Sequence, residues 1–143
     1  MDASRKATAP APRGQADGRP IERILVVDDN EEAAELLARR LTRRGFEARI
    51  AHGGADALAV AAVFLPDAVF LDIGMPGMDG HEVARRLRAD PAHAGVRLVA
   101  LTGWTDDDSP GQAAAAGFDV HLTKPATPAM IEEALGPGAA VRR

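Results

Sequence analysis

Short apolar runs alternate with helical patterns along this chain, and four of the runs lead into a polar signal. Ile24-Leu25-Val26-Val27 is followed by Asp28-Asp29, Val69-Phe70-Leu71 by Asp72, and Leu98-Val99-Ala100-Leu101 by Thr102. Val120-His121-Leu122 is followed, after Thr123, by Lys124-Pro125. Repeated strand–helix units of this kind build a parallel sheet in an α/β fold. In an open α/β sheet the carboxyl ends of the strands face one crevice, and ligands bind there. Three carboxylates, one hydroxyl and one ammonium from distant parts of the chain are therefore expected to meet at one rim. That donor set suits a divalent cation and a phosphoryl group.

The pattern predicts strands at about 23–27, 46–51, 68–72, 97–101 and 118–122. A first helix is expected over 31–44, with Asn30 as N-cap and Glu31 and Glu32 in its first turn, where negative charge is favoured. Leu37 and Leu41, with Ala33 and Ala34, should form its inner face, and Gly45 should stop it. A second helix over 54–65 halts at Pro66. The turn-rich loop Ile73–Gly80 leads to a third helix ending near Ala89. Ser109-Pro110-Gly111-Gln112 reads as a capping box that leaves little room before Gly117, so the next helix should be short and the segment from about Gly103 to Gly111 mobile. Thr127-Pro128 begins a brief last helix over 128–135.

Residues 1–20 are rich in Pro, Gly, Ala and charge, with no large apolar residue after Met1, and are expected to be a disordered tail or linker. The domain proper spans 21–136, and 137–143 form a short C-terminal tail. Aromatic residues make up only 3% of a chain that is 46% hydrophobic, so the core must be aliphatic. Net charge is −4, which gives no general pull toward nucleic acid or an anionic membrane surface. The absence of cysteine excludes disulfides, Cys-based zinc sites and thiol nucleophiles. No apolar stretch reaches the roughly 18 residues of a membrane span. A soluble, cytoplasmic protein is the expectation.

Each polar signal has a plain structural reading. Asp28-Asp29 alone would decorate a helix N-terminus, and Asp72 alone would be a solvated strand end. Together they crowd negative charge, which repels until a cation relieves it and leaves Asp72 usable as a nucleophile. Thr102, followed by Gly103, should carry a free hydroxyl at the sheet edge. The ammonium of Lys124 suits a carboxylate at rest and a phosphoryl oxygen afterwards. Trp104, the single tryptophan, is read as a packed loop residue, with a partner anchor or a shield for the site as the alternative. His52 and His93 should be solvated, and His81-Glu82 lacks a second histidine at metal-binding spacing.

In order and at strand ends, these signals resemble the receiver domain of two-component response regulators, over about residues 22–135. The resemblance is carried by Asp28-Asp29, Leu71-Asp72-Ile73-Gly74-Met75-Pro76-Gly77-Met78-Asp79-Gly80, Ala100-Leu101-Thr102-Gly103 and Lys124-Pro125. It implies a doubly wound, flavodoxin-like (βα)5 fold with strand order 2-1-3-4-5. It also implies that Asp72 takes a phosphoryl group from a histidine kinase or histidine phosphotransfer protein. Mg²⁺ would be bound by Asp29, Asp72 and the Gly74 carbonyl, with Asp28 acting through water. Thr102 and Lys124 would contact the phosphoryl group, and Lys124-Pro125 would be cis. Thr102, Trp104 and His121 form the implied switch, in which His121 replaces the family's usual Tyr or Phe. Imidazole titrates near neutral pH, so gating here should be weak or pH-sensitive.

The leading expectation is thus a phosphoacceptor module of a phosphorelay, free-standing or cut from a hybrid kinase. Its chemistry would be limited to its own phosphorylation and dephosphorylation. It would signal to a downstream protein target, without nucleic acid or membrane. A degenerate receiver used as a binding scaffold is the first alternative. An aspartate-nucleophile phosphatase generally wants an acid two residues past the nucleophile, and position 74 is Gly. A dinucleotide enzyme would need a Gly-rich turn after the first strand, where Asp28-Asp29-Asn30 stands.

Overall fold

The computed structural model describes residues 21–75, 80–103 and 117–135. Five parallel strands form one sheet in the order β2-β1-β3-β4-β5. They are β1 (Arg23–Val27), β2 (Glu47–Ala51), β3 (Ala68–Asp72), β4 (Arg97–Thr102) and β5 (Val120–Thr123). The described helices are α1 (Glu31–Arg43), α2 (Gly54–Phe64), α3 (Gly80–Ala89) and α4 (Pro128–Leu135), with a 3-10 turn at Pro91–His93. The expected tails, the segment Pro76–Asp79, Trp104 and the helix before Gly117 lie outside the described residues.

A parallel sheet covered on both faces needs strands that are apolar throughout. β3, the middle strand, meets that condition: all five of its residues are buried, Asp72 included. Leu25, Val27, Val69, Leu71, Leu98 and Ala100 face α2 and α3. Ile24, Val26, Phe70, Val99 and Leu101 face α1 and α4. β2 lies at an edge, and its polar alternation leaves only Ala51 buried.

α1 starts where the Asn30 side chain accepts a hydrogen bond from the Ala33 amide at 2.9 Å. Its buried stripe is Ala34, Ala38 and Leu41, at i, i+4 and i+7. Ala38 joins the expected inner face, to which the half-buried Leu37 also belongs, packed against the same core. Leu37 and Ala33 are only half-buried and line a cleft beside Lys124. Gly45, at φ +99°, ends the helix as expected. α2 ends one residue early. Pro66 disfavours right-handed helix at Leu65, which adopts φ 53° and donates its amide to Ala61.

β4 extends to include Thr102, and β5 starts two residues later than expected. The Asp119 carboxylate accepts the Leu98 amide at 2.9 Å, replacing a ladder carbonyl, so strand pairing starts with Val99 and Val120. His93 is a correction. It is buried, because Asp90 caps the turn through the Ala92 amide and directs the ring inward. The Thr127 hydroxyl accepts the Met130 amide at 3.2 Å and opens α4.

The start of α3 is packed against the end of β3. A Cβ on Gly80 would lie 2.6 Å from Ile73 Cα and 2.9 Å from the Asp72 carbonyl oxygen, so only Gly fits without backbone movement. Gly80→Ala is therefore expected to cost on the order of 1–3 kcal/mol, read as a lower urea midpoint at unchanged slope. An unchanged midpoint would show that this contact relaxes freely.

Candidate functional site

Strand ends place the polar residues. Asp28 follows β1, Asp72 closes β3, Thr102 closes β4 and Lys124 follows β5. Register brings them level: Val27 pairs with Leu71, Asp72 with Leu101, and Thr102 with Thr123. The Lys124 amide donates to the Thr102 carbonyl at 2.7 Å, and the Lys124-Pro125 bond is cis, as the family resemblance implied.

Asp28 and Asp72 are both buried and are held in the same way. One oxygen of each accepts the amide two residues on, from Asn30 and Gly74 respectively, at 2.9 Å. Asp residues commonly make this short loop to their own backbone. The other oxygen of each lies 3.2 Å from the Lys124 ammonium. Asp29 is exposed, and its carboxylate joins theirs in a cluster whose oxygens lie within 4.8 Å of one another. Three carboxylates against one ammonium leave an excess of oxygen ligands, which fits a hard divalent cation. The Gly74 amide is engaged with Asp72, and its carbonyl is the further oxygen expected to serve such an ion.

Thr102 departs from expectation. Its hydroxyl is not free at the rim but is buried and donates to the Leu122 carbonyl at 3.4 Å. Position in β4 explains this, since a strand residue can reach across to its neighbour, β5. His121 pairs with Ala100, whereas Val120 and Leu122 face the α1/α4 core. Its half-buried ring therefore leaves the sheet on the other face, and its buried Nε2 lacks a hydrogen-bond partner among the described residues. Trp104, the third expected switch residue, lies outside the described residues.

One neighbour was not legible from sequence. The exposed His52 ring places Nδ1 3.0 Å from the Asp28 carbonyl, while the Asp28 amide donates to Ala51. The end of β2 thus holds the Asp28 backbone from both sides. A cleft of about 400 Å³ also opens beside the cluster, between α1 and Pro125, lined by Leu36, Leu37, Arg40 and Leu101 among others.

Burial raises the Asp28 pKa above its ordinary 3.8, and the nearby Asp72 charge adds to the rise, against the Asn30 amide and Lys124. For Lys124, desolvation pulls downward, but attraction to Asp28 and Asp72 prevails and holds it above 10.5. The folded state therefore binds the Asp28 proton more tightly than the unfolded state. In metal-free protein, this group favours folding at low pH and loses that contribution as pH rises from 3.8 through its folded pKa. Lys124 has the same sign at the alkaline end: its contribution is full below 10.5 and lost above its folded pKa. Asp28→Asn should thus alter the stability of the metal-free protein more favourably at pH 7 than near pH 3.5. Urea titrations in EDTA at the two pH values test this, and an equal or less favourable change at pH 7 would contradict it.

Comparison with known proteins agrees with this geometry. The response regulator receiver domain family model matches residues 24–136. Over 109 residues the chain is 41% identical to the response regulator PleD of Caulobacter vibrioides, covering 76% of this chain and 24% of PleD. The chain spans less than half the length of the curated relatives it matches. A putative response regulator of Chloroflexus aurantiacus superimposes with a TM-score of 0.73 at 31% identity, over 83% of this chain and all of that one. A Burkholderia pseudomallei response regulator, solved with a phosphorylated aspartic acid and a calcium ion, gives a TM-score of 0.73 at 33% identity, over 80% and 66%. With a flavodoxin-like sheet and an acidic cluster paired to a lysine at its carboxyl edge, the chain belongs to the receiver domain family of response regulators.

Proposed function

We propose that Asp72 accepts a phosphoryl group from a phosphohistidine of a histidine kinase or histidine phosphotransfer protein, with Mg²⁺ held by Asp28, Asp29, Asp72 and the Gly74 carbonyl. The observation that carries this reading is the single ammonium set 3.2 Å from both buried carboxylates, within a three-carboxylate cluster. The phosphorylated aspartic acid in the Burkholderia relative supports it.

An oxygen of Asp72 attacks phosphorus and forms a P–O bond. The P–N bond to imidazole breaks, and the imidazole nitrogen keeps the electron pair and takes up a proton. Mg²⁺, when bound, supplies positive charge to the phosphoryl oxygens. Such transfer rests mainly on position and electrostatics, so a fixed acceptor and cation suffice. Lys124, held between the carboxylates at rest, turns to a phosphoryl oxygen once Asp72 is esterified. Thr102 gives up its 3.4 Å bond to Leu122, longer than an ordinary hydroxyl–carbonyl bond, to contact the same group. His121 on β5 follows that movement.

The chain acts only on itself, by its own phosphorylation and hydrolysis. The donor approaches along α1, over the apolar cleft beside Lys124, and a downstream protein reads the switched surface. A cytoplasmic setting follows from a histidine-kinase donor. No helix among the described residues is long and apolar enough to cross a membrane.

Incubation with a small phosphodonor should add the mass of one phosphoryl group, with Mg²⁺ required and the addition absent in Asp72→Asn. Lys124→Met should slow the addition by about 10²-fold, as expected for loss of one preorganised charge. An unchanged mass in the parent protein would support the scaffold alternative. Multiple turnover on a phosphate ester would support the phosphatase.

A further inference from the structure

We propose that the cleft between the C-terminal half of α1 and the start of α4 binds a small phosphate-bearing organic molecule, independently of the acidic site. This cleft has a volume of about 380 Å³ and is lined by Arg40, Leu41, Arg43, Arg44, Pro128 and Ile131. Small-molecule sites typically measure about 300–1,000 Å³. Three guanidiniums around one cleft are a sharp local excess in a chain of net charge −4.

Helix capping does not account for them. The Arg44 and Phe46 amides donate to the Leu41 carbonyl and the Gly45 amide to Thr42, so backbone groups already satisfy these terminal carbonyls. The macrodipole at that end amounts to about half an elementary charge. Four arginines, at 39, 40, 43 and 44, exceed it many times over.

Two of the guanidiniums are positioned by other contacts. Arg40 donates to the Ala126 carbonyl at 3.3 Å, and Arg44 pairs with the Glu132 carboxylate. The Glu132 pair neutralises one of the three guanidiniums, so the excess positive charge at the cleft rests on Arg40 and Arg43. Arg43, also on the cleft, has no hydrogen bond or ion pair among the described residues. The planar fork of a guanidinium matches phosphate oxygens two at a time. Pro128, exposed at the mouth of the cleft, supplies apolar wall for the non-ionic part of the ligand, over a floor of the buried Leu41 and Ile131. A bare sulfate would use the charge and leave that wall empty.

Calorimetric titration of the full chain in EDTA with pyrophosphate, ADP, adenosine and sulfate tests the site. ADP should bind more tightly than pyrophosphate, and adenosine and sulfate should bind at least about tenfold more weakly than ADP. Arg43→Ala should weaken ADP about tenfold. Glu132→Gln, which removes the internal competitor, should tighten it several-fold. Asp72→Asn should leave ADP binding unchanged, which separates this site from the proposed phosphoacceptor. No saturable binding at millimolar ADP, equal binding of sulfate, or indifference to Arg43→Ala would each overturn the proposal, as would loss of binding in Asp72→Asn.

Discussion

Two buried carboxylates side by side are unfavourable, and Lys124 makes them tolerable. Its ammonium stands 3.2 Å from Asp28 and from Asp72, and each acid has its other oxygen on a backbone amide. The arrangement balances incompletely. Burial still pushes Asp28 toward its protonated form, while the two acids keep Lys124 charged. The exposed Asp29 completes a three-carboxylate cluster whose donor set fits a divalent cation. The fold spends stability to keep these acids together, which is expected where a site is built for binding rather than for packing.

That pairing depends on register. β1, β3, β4 and β5 are parallel, so their carboxyl ends share one edge, and the ladder sets their heights. A register shift of one residue in β3 would turn the Asp72 side chain to the other face. Apolar residues on both faces of β3 resist such a shift, because Phe70 belongs to the α1/α4 core and Leu71 to the α2/α3 core. The close approach of Gly80 to Ile73 fixes the chain just beyond Asp72. Aliphatic packing thus holds the site, although few of its atoms touch the site.

The Thr102 side of the site is held less tightly than the acid side. The Thr102 hydroxyl makes one long bond to Leu122, and the buried His121 Nε2 makes none among the described residues. Groups held this weakly are consistent with the reorientation proposed for Thr102 on phosphorylation.

Much of this was legible in the chain before any coordinate. Apolar runs ending in Asp28, Asp72, Thr102 and Lys124 located strand ends, since a buried parallel strand must be apolar until it leaves the sheet. Caps were legible for a similar reason, because Asn30, Gly45 and Thr127 satisfy or release backbone groups within a few residues. What failed involved partners far along the chain. The engaged Thr102 hydroxyl and the hold of His52 on Asp28 both depend on which segment lies opposite. Local sequence determined the strand ends, the acids and the parallel class, because those follow from short-range periodicity and backbone chemistry. Tertiary structure alone decided that one ammonium would stand between two carboxylates 44 positions apart, because distance in space is set by packing that no local run of residues encodes.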